Sequence, residues 1–241
     1  MQILTHSADP LSAKDPAIAV QTSFPTLRIV ALGDSLIYGF GDSDGGGWVE
    51  RLRRRWMSPE GHHHALYNLG VRGDRVQQVA QRLKTEFHNR GELRHRVPDG
   101  ILLSVGLNDS ARLGRADGKN FTPFESFQLD IANLLDQANQ LCPVFFVGMT
   151  PVDEAQMPFS NCLYYNHADQ YLYKEATRLA CQERQIPYLD VFDQWMARGE
   201  GWWRSRLHRD GLHPNSEGYA ALLEDFQQWQ PICRWLGHYE D

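Results

Sequence analysis

Ser35 lies where the apolar run Leu27-Arg28-Ile29-Val30-Ala31-Leu32 breaks into Gly33-Asp34-Ser35-Leu36. A serine hydroxyl becomes a nucleophile when the chain also supplies a base, an acid to orient it and donors for a developing oxyanion. The best candidate for the base is His213, in Asp210-Gly211-Leu212-His213-Pro214. Three residues of separation across a turn bring the Asp210 carboxylate back onto the imidazole, which holds Nδ1 protonated and leaves Nε2 free for the serine proton. Pro214 restricts His213 to an extended backbone and starts the next helix. Three donors are candidates for the oxyanion: the Ser35 N–H at the start of a helical turn, the N–H of side-chain-free Gly70, and the Asn108 carboxamide. One such donor is typically worth about 3 kcal/mol of barrier.

These residues must be delivered to one place, and the apolar pattern says how. Short apolar runs read as strands at Leu27–Gly33, Ala65–Leu69, Ile101–Val105, Val144–Val147 and Pro187–Val191. Helical patterns lie between them: Trp48–Met57, a Val76/Val79/Leu83/Phe87 stripe with Asp74 as its cap, a segment opened by Thr122-Pro123-Phe124-Glu125, and Tyr164–Gln185. A last helix, capped by Asn215 or Ser216, is expected to run to about Trp235. Strict alternation of strand and helix predicts an α/β fold: a three-layer α/β/α sandwich on a five-stranded parallel sheet, flavodoxin-like, in order 2-1-3-4-5. In that order Ser35, Gly70 and Asn108 follow three adjacent strands and converge at the switch point where such sheets bind ligands.

Each motif alone has a structural alternative. Gly-Asp-Ser can be a turn, Asn108 a helix cap, and Asp210 a partner of its own loop. Together, in this order and each at a strand end, they favour catalysis. The chain resembles the SGNH hydrolases, the GDSL esterase/lipase family. Gly33-Asp34-Ser35-Leu36, Asn68-Leu69-Gly70, Gly106-Leu107-Asn108-Asp109 and Asp210-Gly211-Leu212-His213-Pro214 match four of its blocks, over about Leu27 to Leu223. The resemblance implies hydrolysis of carboxylic esters or thioesters through an acyl-enzyme on Ser35, without metal or cofactor. Arg72 and Arg75 depart from the commoner pattern, in which small or hydroxyl residues follow this glycine. They read an anionic substrate, constrict the pocket or point outward. The alternatives are a non-catalytic ligand-binding member of the fold, a carbohydrate O-acetyl esterase, and a metal hydrolase using His62–His64 with His208 or His213.

The 241 residues are 42% hydrophobic and 22% charged, with net charge −6. That balance suits a soluble chain and argues against nucleic acid as partner; the partner that the resemblance implies is a small-molecule ester or thioester substrate. No apolar segment is long enough to span a bilayer and the N-terminus lacks a secretory pattern, so a cytoplasmic protein is expected. Residues 1–26 are expected to form an extended or partly disordered arm, and 27–241 a single hydrolase domain. Arg51, Arg53, Arg54 and Arg55 read as a solvated helix face. Gly39–Gly47 reads as a flexible polar loop. Cys142, Cys162, Cys181 and Cys233 form no C-x-x-C pair and read as buried structural thiols. Asp34 and Asp109 are assigned to turns. Trp202 and Trp203, just before the His213 block, wall a pocket or pack in the core.

Overall fold

The computed structural model describes residues 26–58, 63–90 and 96–237. All but residue 26 of the expected N-terminal arm lies outside them, as does His62. The strands are β1 (Arg28–Gly33), β2 (Ala65–Gly70), β3 (Gly100–Ser104), β4 (Arg112–Leu113), β5 (Val144–Val147), β6 (Leu163–Tyr164) and β7 (Tyr188–Leu189). Five of them form one parallel sheet in the order β2-β1-β3-β5-β7. Taken by chain order among themselves, these five stand 2-1-3-4-5. The short β4 and β6 pair antiparallel beside the sheet.

Burial explains the apolar runs. Along β1, Ile29 and Ala31 point into one core cluster and Val30 and Leu32 into the other, all fully buried. A strand covered on both faces reads as an unbroken apolar segment rather than an alternating one. Helices α3 (Val76–His88), α5 (Phe124–Asn139) and α6 (His167–Glu183) contribute to the cluster that holds Val30 and Leu32, with Val79, Leu83, Phe87, Phe127, Ile131 and Tyr173 buried in it. Helices α2 (Gly47–Trp56), α9 (Ser216–Gln228) and α10 (Gln230–Trp235) contribute to the other, through Trp48, Leu52, Tyr219, Leu222 and Phe226.

Several boundaries differ from the sequence expectation, each for a local reason. Asp74 does not cap α3; the cap position is Arg75, and the Asp74 carboxylate receives Arg82 Nε at 2.8 Å. Thr122 does not cap α5, because its hydroxyl donates to Asp109 Oδ1 at 2.7 Å. The helix expected from Tyr164 starts at His167, since Leu163–Tyr164 pairs with β4 and Asn166 Oδ1 caps the Asp169 N–H. The last helix breaks at Trp229, with Pro231 in the first turn of α10. The connection from Trp195 to Arg209 holds the end of α7 (Val191–Ala197) and all of α8 (Glu200–Arg204). The arginines of α2 are engaged by protein partners: Arg51 by Asp42 and Ser216, Arg53 by Glu50, Arg54 by the Gly45 carbonyl, and Arg55 by Gln227.

Candidate active site

Register sets the site. Gly33 pairs with Gly70 on one side and Ser104 on the other, so β1, β2 and β3 end flush. Ser35 opens α1 (Ser35–Tyr38), a single turn capped by Asp34 Oδ1, which accepts the Leu36 N–H at 2.9 Å. Asn108 sits in the matching single turn α4 (Leu107–Ser110) after β3.

His213 comes to the same edge from the far end of the chain. Its Nε2 lies 2.8 Å from Ser35 Oγ, and its Nδ1 lies 2.8 Å from Asp210 Oδ2. With a carboxylate on Nδ1 the ring proton sits there, and Nε2 accepts from the serine hydroxyl. The Asp210 Oδ1 accepts the backbone N–H groups of Leu212 and His213, both at 3.0 Å. Burial alone would raise the Asp210 pKa, but the His213 hydrogen bonds outweigh it and hold the carboxyl well below its usual range. His208 Nδ1 lies 3.3 Å from the same Oδ2 but is poorly aimed for a hydrogen bond. Phe40 and Phe159 stand edge-on to the His213 ring, with centroids at 4.6 and 5.7 Å. Ser35 is 4% exposed and His213 3%, so water is largely kept from both.

The expected donors fare differently. Asn108 Nδ2 donates to the Asp74 carbonyl at 3.0 Å and makes a long 3.4 Å contact with Asp34 Oδ2. Its Oδ1 accepts from the buried Tyr165 hydroxyl at 3.2 Å. Gly70 does not offer a free N–H, because that group already donates to Asn68 Oδ1 at 3.1 Å. Its lack of a side chain answers packing instead: a Cβ there would fall 2.2 Å from Tyr38 N. Gly73, three residues on, has φ +83°, and a Cβ at that position would meet open space. Among the described residues its N–H donates to nothing. The residues on either side tie it to the site. Asp74 gives its carbonyl to Asn108, and the Arg72 guanidinium lies 3.8 Å over the Phe40 ring.

Other candidates fall away from Ser35. Trp203 packs on His167 and Trp202 on Trp195, Arg198 and Arg206; the rings beside His213 are Phe40 and Phe159. His64 precedes β2, where Nδ1 accepts the Leu27 N–H and the ring meets Trp56. The six residues of β2 run roughly 20 Å from there to the edge that carries His208 and His213, so one metal cannot join them. The carboxylates of Glu175, Asp190 and Asp193 form a group, but Lys174 Nζ fills it at 2.9, 2.8 and 2.6 Å. The loop after α1 is anchored: buried Asp42 accepts the Gly45 and Gly47 N–H groups and Arg51. Of the cysteines only Cys181 and Cys233 are buried; Cys142 is half-buried and Cys162 exposed on a turn.

Asp34 holds its own turn, as expected, whereas the Asp109 carboxylate ties α4 to the Val76 N–H and the Thr122 hydroxyl; both are electrostatically unusual. Burial raises Asp34 to about 7, reinforced by the charges of Asp109 and Asp74 and opposed by the Leu36 N–H. Burial raises Asp109 to about 6 against hydrogen bonds from Thr122 and the Val76 N–H. Tyr165 belongs to no motif block, and the sequence offers no signal for it beyond an aromatic residue ahead of a helix cap.

The layered fold and its strand order define a flavodoxin-like α/β/α architecture. The chain belongs to the GDSL-like lipase/acylhydrolase family, whose model matches residues 31–221. It is 24% identical over 206 residues to thioesterase 1/protease 1/lysophospholipase L1 of Escherichia coli strain K12, spanning 85% of this chain and 84% of that protein. Among solved structures it is similar to a lipase/acylhydrolase from Enterococcus faecalis, with TM-score 0.67 and 19% identity over 89% of this chain and 98% of the other. A catalytic mutant of Axe2, an acetylxylan esterase from Geobacillus stearothermophilus, matches with TM-score 0.64 and 14% identity, over 86% and 95%. Among the described residues no helix is long and apolar enough to cross a membrane.

Proposed function

We propose that this protein is a serine hydrolase that cleaves carboxylic esters or thioesters of small to medium acyl groups through an acyl-enzyme on Ser35. The observation that carries the proposal is the row Ser35 Oγ, His213 Nε2, His213 Nδ1, Asp210 Oδ2, with 2.8 Å at each hydrogen bond. His213 Nε2 takes the Ser35 proton as Oγ bonds to the acyl carbon. The tetrahedral intermediate collapses with loss of the alkoxide or thiolate, which leaves with the proton from Nε2. Water then repeats the sequence on the acyl-enzyme, with His213 as base, and releases the carboxylic acid. Asp210 stays ionised and steadies the imidazolium.

For the oxyanion we propose the Ser35 N–H, the Asn108 carboxamide and a backbone N–H of the loop after β2. Asn108 is suited because one of its amide protons has only the long Asp34 contact to give up. In the loop the unpartnered Gly73 N–H suits the role better than Gly70, whose N–H is committed to Asn68. The test is turnover of a chromogenic acetate together with labelling by a fluorophosphonate. Wild type should hydrolyse the acetate and take the label, and Ser35→Ala should do neither. Equal labelling of both proteins removes Ser35 from the mechanism, and no turnover by wild type favours a ligand-binding protein.

A further inference from the structure

Arg72 and Arg75 flank Gly73, and neither guanidinium donates to a carboxylate among the described residues. That sets them apart from Arg51, Arg82, Arg112 and Arg184, each held by an aspartate at 2.5 to 2.8 Å. Each is instead laid on an aromatic ring: Arg72 at 3.8 Å over Phe40, Arg75 at 4.5 Å over Phe121. The rings belong to the loops that follow Ser35 and Asn108. Phe40 is itself 4.6 Å from the His213 ring, and Phe121 is anchored by its N–H to the Ala111 carbonyl. Two ring contacts in series thus join the Arg72 guanidinium to the imidazole.

Stacking holds a guanidinium face-down and leaves the N–H groups along its edge free, the presentation that planar oxyanions accept. It also removes part of the side-chain entropy cost of binding. In a chain of net charge −6, two guanidinium groups that make no carboxylate hydrogen bond among the described residues, of which Arg75 also acts on the Asp109 carboxyl through space, form a local attractor for negative charge.

We infer that Arg72 and Arg75 are specificity residues that recognise an oxyanion substituent, phosphate or carboxylate, on the ester or thioester substrate. The inference rests on the hydrolase reading above and deepens it: Ser35 selects the bond, and this pair selects substrates that carry negative charge near it.

Three acetyl esters of similar size separate the possibilities: 2-methoxyethyl acetate, acetoxyacetate and 2-acetoxyethyl phosphate. The readout is kcat/KM for each anionic ester divided by that for the neutral one. Wild type should prefer at least one anion, and that preference should weaken as salt is raised. In the Arg72→Gln/Arg75→Gln double variant the ratio should fall about tenfold or more, chiefly through KM, from the loss of charge-assisted hydrogen bonds. The Arg72→Lys/Arg75→Lys variant should recover part of it. Whichever ester loses most identifies phosphate or carboxylate as the group read. A wild type without anion preference, or a ratio unchanged in the glutamine variant, overturns the inference and leaves the hydrolase reading standing. Neutral-ester turnover that survives Ser35→Ala overturns both.

Discussion

Ser35 Oγ and His213 Nε2 are 2.8 Å apart although 178 positions separate the two residues in the chain. The contact depends on two turns that close independently. Asp34 caps the turn that presents the hydroxyl, and Asp210 gathers the Leu212 and His213 N–H groups so that the ring faces back across the sheet edge. The geometry is fixed by short-range hydrogen bonds at each end, and the sheet brings the two ends together.

Asp210→Asn isolates the electrostatic part of that arrangement. The amide keeps an oxygen for the Leu212 and His213 N–H groups, so the turn should survive. The negative charge that steadies an imidazolium is lost, and the amide NH₂ can donate to Nδ1, which favours the wrong tautomer. Under the proposed mechanism kcat for a chromogenic ester should fall about 10³- to 10⁴-fold, with the circular dichroism spectrum unchanged. A loss below about tenfold would leave Asp210 as a turn residue alone.

Asn108 and Tyr165 make a graded pair. Asn108→Ala removes a proposed oxyanion donor and should lower kcat about 10²- to 10³-fold. Tyr165→Phe deletes only the hydroxyl that donates to Asn108 Oδ1 at 3.2 Å, which frees the carboxamide to turn. Its expected effect is smaller, and it should appear in kcat rather than KM because the contact touches no substrate. In the double variant the Tyr165 effect should vanish, since nothing remains to orient. Full additivity would place Tyr165 outside this role.

The two glycines after β2 should separate stability from activity. Gly70→Ala sets a methyl 2.2 Å from Tyr38 N, so the melting temperature should drop sharply. Gly73→Ala meets no neighbour but places a side chain at φ +83°, a strain of about 1–2 kcal/mol. That strain is expected to shift the loop backbone, lowering kcat more than the melting temperature. The reverse ranking would return the donor role to Gly70.

Much of this was legible in the chain because parallel sheets covered on both faces leave a strong mark. Ile29 to Leu32 and Ile101 to Leu103 read as strands because no face of either meets water. Gly33 and Asp34 announce the first turn, and the Asp210–His213 spacing announces the last. What stayed hidden is set by contacts between loops. The Asn68 side chain engages the Gly70 N–H, and Asp109 draws Thr122 away from a helix cap. Tyr165 reaches Asn108 from the short segment between β6 and α6, where the sequence pattern continues the helix. Periodicity and propensity report a residue's own element, whereas these pairings depend on which loops meet.

The buried Asp34 carboxyl gives the fold a pH dependence with a definite sign. Its pKa rises from an ordinary 3.8 to about 7 on folding, mainly through burial. Below 3.8 both states carry the proton, and the protonated carboxyl's contribution to stability is fully present. Between 3.8 and 7 only the unfolded state ionises, so unfolding releases a proton and stability falls as pH rises. Asp109, raised to about 6, adds a fall of the same sign over a narrower window. Asp42, lowered to about 2 by its hydrogen bonds to Arg51 and to backbone N–H groups, works the other way: its contribution is present above about 4 and is lost on acidification. Asp34→Asn keeps an oxygen for the Leu36 N–H but cannot ionise. Urea unfolding at pH 5, 6, 7 and 8 should therefore show a shallower decline for the variant than for wild type. The difference should be on the order of 1 kcal/mol per pH unit between 5 and 7 and should flatten by pH 8. Parallel curves for the two proteins would mean that Asp34 titrates alike folded and unfolded.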